Sequence, residues 1–160
     1  MNKIYVLITT IIGMAVLFIA GSIYAGTTVP QVIKLHDKAY SKHKKGVVIF
    51  EHEKHAYDIK KKYPELYKTS CGECHHDEKN KPRVNLKEGD NVKNCIECHK
   101  KPKYVKGKEA KRLSKEQKRE YHANALHDNC KDCHKKYNKK YKKTAKTGAP
   151  TTCKRCHSKK

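Results

Sequence analysis

The chain predicts a small domain, mostly irregular, with short α-helices and a minor β-hairpin, and with too few aliphatic side chains to build its own core. Three observations carry this expectation. The pattern Cys-x-x-Cys-His occurs four times, at Cys71–His75, Cys95–His99, Cys130–His134 and Cys153–His157. From Gly26 onward only 17 of 135 residues are Leu, Ile, Val or Phe, while 37 Lys and Arg face 16 Asp and Glu. The intervals from one cysteine pair to the next run 21, 32 and 20 residues, too irregular for a tandem array. An aliphatic content below about 20 per cent at high net charge is the composition of a disordered chain. Such a chain buries too little apolar surface to offset its conformational entropy. Something other than side chains has to fill this one.

The cysteine motif says what. C-x-x-C-H is the attachment signature of c-type haem: two thiols bond to the porphyrin edge and the following imidazole reaches the iron. The spacing is short because all three side chains must meet one flat group from a single turn of backbone. All eight cysteines are used, Cys71, Cys74, Cys95, Cys98, Cys130, Cys133, Cys153 and Cys156, and none is left over. Two rivals use the same residues. Four C-x-x-C pairs make two Cys₄ zinc sites, and eight cysteines make four disulfides, but neither needs a histidine after every second cysteine. Four covalent haems supply the missing apolar surface, so the haems are the core and the polypeptide wraps them.

The elements follow in chain order. Residues 1–25 hold one lysine at position 3 and then a dense apolar run, the pattern of a secretory signal cleaved after Ala25. Left uncleaved, the run is long enough to anchor the chain in a bilayer. Both place the remainder outside the cytoplasm, in a periplasmic or other extracytoplasmic space, free or anchored to the inner membrane. Residues 26–45 read as a basic linker, and 46–160 as the tetrahaem domain. Val47–Phe50 is a short strand, one arm of a hairpin. Glu51–Lys62 is expected to be helical and to end before Pro64. Residues 77–94 form a polar loop. Ser114 and Gln117 fit a capping box opening a helix to about Leu126.

The iron ligands are a counting problem. Both methionines, Met1 and Met14, lie in the N-terminal segment, so His/Met ligation is closed to the exported domain. After the four proximal histidines, His75, His99, His134 and His157, seven remain: His36, His43, His52, His55, His76, His122 and His127. Four of these give every iron two imidazoles and hence low potentials. His75 and His76 are adjacent and leave the backbone in different directions, so His76 is expected to turn to a second haem. His52, His55 and His127 lie close to attachment sites in sequence and complete the distal set, with His36, His43 and His122 read as solvated side chains.

The stretch VVIFEHEKH followed by CGECHH, with three more haem sites, resembles the class III cytochromes c, the tetrahaem cytochrome c₃ family and its multihaem relatives. By that resemblance His52 caps the first haem, His76 the second, His55 the third, and His127 the fourth, with His122 as its competitor. Three features depart from the pattern. All four sites are C-x-x-C-H, the stretch AYDIKKKYPELYKTS before Cys71 is long, and the 20 residues before Gly46 are unlike a typical start. The resemblance implies a carrier in anaerobic respiration linking hydrogenases or dehydrogenases to membrane-bound or extracellular cytochromes. With two imidazoles on each iron, no site is open for catalysis; the alternative is a multihaem reductase with one open haem. Cys130–Lys160 contains 12 Lys and Arg against the single acid Asp132, a field suited to acidic redox partners or a membrane surface. Outside the cytoplasm, nucleic acid is not an expected partner.

Overall fold

The computed structural model describes residues 31–144 and 146–157. Of the described residues, 31–86, 92–144 and 146–157 fall in one compact unit, and Lys87–Asn91 lies outside it. The signal or anchor reading of residues 1–25 lies outside the described residues. Among those described, no helix is long and apolar enough to cross a membrane.

Strand β1 (Val32–Leu35) pairs antiparallel with β2 (Val48–Glu51), in a register that sets Ile33 opposite Phe50 and Leu35 opposite Val48. These four form the half-buried face, while Val32, Lys34, Ile49 and Glu51 face outward, as the period of two requires. This corrects the linker reading of 26–45. The lysines around it mask a four-residue alternating segment, Val32-Ile33-Lys34-Leu35, long enough to supply the second arm of the hairpin. The connection between the strands turns at Asp37, whose Oδ1 accepts from Ala39 N at 2.8 Å. There His36 and His43 stack with ring centres 3.7 Å apart.

A π-helical stretch, Lys54–Ile59, runs into α1 (Lys60–Lys62) and stops at Tyr63, before Pro64. Two 3₁₀ turns, Pro64–Leu66 and Ser70–Glu73, carry the chain to the first cysteine pair. The long stretch before Cys71 is thus folded: Tyr63 packs on Tyr137 and Tyr141 at 5.1 and 4.9 Å, and Tyr141 donates to Glu65. From His76 the polar loop holds an isolated bridge to Pro82. Within Lys87–Asn91, Asp90 closes its own turn by accepting from Lys87 N at 2.8 Å, with Gly89 at φ +86°.

Downstream lie α2 (Cys95–Cys98), α3 (Gly107–Lys111), α4 (Lys115–Arg119), α5 (His122–Lys140) and α6 (Cys153–Cys156). The Ser114–Gln117 capping box is formed, with Gln117 N donating to Ser114 Oγ at 3.2 Å and Ser114 N to Gln117 Oε1 at 2.8 Å. The helix it opens ends at Arg119 rather than near Leu126, because the backbone breaks to pair with the segment at Lys101. Lys101 N donates to Glu120 O at 3.1 Å, and His122 N donates to Lys101 O at 2.9 Å. The longest helix, α5, begins there and passes straight through the third cysteine motif.

Among the described residues, Val105 is the only fully buried apolar side chain, at 1 % exposure.

Candidate haem-binding centre

Each cysteine motif is one turn of helix. His75 N donates to Cys71 O, His99 N to Cys95 O and His157 N to Cys153 O, all at 2.9 Å, and the third motif lies within α5. Residues i, i+3 and i+4 share a helix face, so each turn presents two thiols and an imidazole to the same side. None of the eight cysteines is in a disulfide. Among the described residues no three Cys, His, Asp or Glu side chains converge as a bare metal ion would need.

The motifs crowd together. Although solvent touches Cys74, surrounding protein pushes its thiol up to about 12, with the Cys130 and Cys133 sulfurs adding to the effect. Burial likewise raises Cys130 to about 11, helped by Cys156, Cys95 and Cys133. Cys130 thus feels a sulfur from the second, third and fourth motifs, and Cys74 links the first motif to the third.

The histidines pair. His52 lies 6.2 Å from His75 between ring centres, His76 lies 6.0 Å from His99, His55 lies 6.2 Å from His134, and His127 lies 6.2 Å from His157. Every motif histidine meets one other imidazole, and the neighbours His75 and His76 face different partners. With a metal–imidazole bond of about 2 Å and about 1 Å more from nitrogen to ring centre on each side, two imidazoles across one metal have centres about 6 Å apart. The chain's own geometry fits a bis-imidazole iron at each motif.

The outer nitrogens are arranged to match. Nδ1–H donates to a backbone carbonyl in His55 (Glu51, 2.8 Å), His76 (Asp77, 2.8 Å), His99 (Arg119, 2.5 Å), His134 (Pro150, 2.6 Å) and His157 (Gly46, 2.9 Å). A carbonyl only accepts, so these rings carry their proton on Nδ1 and leave Nε2 as the lone pair, the tautomer a metal needs. Burial lowers the pKa of His75, His127 and His134, with the paired imidazole contributing to each. That keeps them neutral and able to ligate.

The chain matches the class III cytochrome c family over residues 29–157. It belongs to that family. No curated protein and no solved structure matches it. As a class III cytochrome it is a multihaem electron-transfer protein with covalently bound haem c. The match begins at residue 29, ahead of β1, so it spans most of the segment read from sequence as a linker.

Three histidines stand outside the pairs. His122 was read as solvated or as the competitor of His127. It is neither: only 6 % exposed, it packs against Tyr40, whose hydroxyl is 3.1 Å from its Nδ1. His36 and His43 stack on one another, His36 exposed to solvent as expected and His43 half-buried. Sequence reasoning also missed two asparagines on α5. Asn124 accepts from Val105 N at 2.9 Å and donates to Val105 O at 3.1 Å. Asn138 accepts from Ala149 N at 2.7 Å and donates to Ala149 O at 2.9 Å. Each pins a loop to the helix, and nothing local in the sequence marks a bond to a distant backbone.

Proposed function

We propose that this class III cytochrome carries four haems, each held by one C-x-x-C-H turn and one further histidine, and passes electrons among them between redox partners outside the cytoplasm. The reading rests on one observation, the four imidazole pairs at 6.0–6.2 Å. The ligand sets are His75 with His52, His99 with His76, His134 with His55, and His157 with His127. When bound, the haems supply one-electron iron couples. The chain fixes the imidazoles, keeps His75, His127 and His134 neutral by burial and sets the four attachment turns beside one another. Two imidazoles from the chain would hold each haem and leave substrate no place on its iron, so the reading is electron transfer and not catalysis. Two imidazoles stabilise the ferric state, so all four potentials are low. The apolar N-terminal run directs export and leaves the domain periplasmic, free or anchored to the inner membrane.

Replacing one distal ligand tests the assignment. His76→Ala is expected to convert one haem in four to a high-spin, CO-binding species and leave three low-spin. A spectrum with four low-spin haems after that change would remove His76 from the ligand set. The partner is an acidic redox protein, a hydrogenase, dehydrogenase or another cytochrome, drawn to the lysines of Cys130–Lys160. Its electron-transfer rate with this protein is expected to fall as ionic strength rises; a salt-independent rate would refute docking by charge.

A further inference from the structure

The fourth imidazole pair differs from the other three in one atom. Nδ1 of His127 is buried without a hydrogen-bond partner, the one such side-chain polar atom among the described residues. Two of the other distal histidines, His55 and His76, donate to backbone carbonyls. A ligating histidine almost always donates its outer N–H, and that bond makes the ring a stronger base. The exception therefore calls for a cause, and the structure supplies one.

Tyr104 stands edge-on to His127, with ring centres 4.7 Å apart and planes at 75°. Its other side faces solvent, at 44 % exposure. It is held there by its neighbour. Val105 is the fully buried apolar residue, and both its backbone N–H and its carbonyl are bound by the side chain of Asn124. Asn124 is itself only 9 % exposed, and sits on α5 three residues before His127. The helix that carries the imidazole also carries the clamp that fastens its cover.

We propose that Tyr104 and the Asn124–Val105 clamp are positioning elements that keep water and every other acceptor from the His127 Nδ1–H, and so raise the reduction potential of the fourth haem above the value a hydrogen-bonded ligand would give it. The physical step is short. A hydrogen bond from Nδ1 moves electron density onto the ring and favours ferric iron; withholding it favours ferrous. The inference rests on His127 being the distal ligand of that haem. That reading has its own check, since a high-spin fourth haem in the unmodified holoprotein would sink it before any variant is made.

Two measurements on the holoprotein test the proposal. In the fully reduced, diamagnetic state, the Nδ1 proton of His127 is expected to resonate upfield of those of His55 and His76; a signal as far downfield as theirs would overturn it. In a haem-resolved redox titration, Tyr104→Ala lets water reach Nδ1 and lowers the fourth haem alone. The expected change is about tenfold in its reduction equilibrium, some 59 mV for one electron. Tyr104→Phe keeps the ring and leaves that potential in place. An unmoved fourth haem in Tyr104→Ala, an equal shift of all four, or the same shift in Tyr104→Phe would each refute the role assigned to the ring.

Discussion

His122 shows how a single residue can be misplaced by sequence pattern and still matter. It lies one turn ahead of the cluster of ligands on α5, which is what made it a competitor of His127, but its ring turns the other way, onto Tyr40. Burial is the main cause of its lowered pKa; His99 lowers it further and Asp37 opposes. Because the folded state disfavours the imidazolium, the unfolded chain takes up this proton first as pH falls through about 6.5. Stability contributed here is present above that pH and is lost below it. For one proton the slope is at most about 1.4 kcal/mol per pH unit. His122→Gln is expected to flatten the pH dependence of thermal unfolding between about pH 7 and 5 while leaving the four low-spin haems intact. Superimposable profiles for the two proteins would show that His122 carries no such linkage.

Helix α5 does the most at the scale of elements. His127, Cys130 and His134 recur at i, i+3 and i+7, so one face of one helix carries the imidazole that pairs with His157, a thiol of the third motif and the imidazole that pairs with His55. Its two asparagines act on the loops that serve those same imidazoles. Asn124 fixes Val105 and thereby Tyr104 over His127; Asn138 fixes Ala149, next to the Pro150 carbonyl that accepts from His134. Gly148 is part of the second clamp, since a Cβ there would fall 2.2 Å from Asn138 Oδ1. Asn138→Leu strips the backbone of Ala149 of both partners and is expected to cost about 1–3 kcal/mol. It should also shift the potential of the third haem, through His134, more than that of the others. A purely structural clamp would lower stability and leave the four potentials in their order and spacing. The sequence declared the helix turns and the H-x-x-H pair openly, because those are local spacings. It hid the clamps, the break at Glu120–Tyr121 and strand β1, because each depends on a partner far along the chain: Val105, Ala149, Lys101 and β2.

For the whole molecule the question is what holds such a chain folded. The described residues include a two-stranded sheet, short helical turns and one long helix. Two strands alone are marginal in water, and a four-residue helical turn has no stability of its own. The six ion pairs found among the described residues lie at the surface, where each contributes little. Among the described residues one apolar side chain is fully buried, and five of the eight cysteines are exposed. Composition foretold this, since 17 aliphatic residues in 135 could not have been arranged into a core by any topology. Haem c, covalently bound as in the family, would supply the apolar faces this chain lacks; held by the proposed imidazole pairs, it would also tie together segments as distant as His52 and His75 or His55 and His134. The protein in which all eight cysteines are Ser, exported without haem, is therefore expected to show no cooperative unfolding in urea and little ordered far-ultraviolet dichroism. The holoprotein should unfold in one sigmoidal step. A cooperative transition in the haem-free chain would mean that the polypeptide shell is a fold in its own right, and that the haems occupy a structure they did not create.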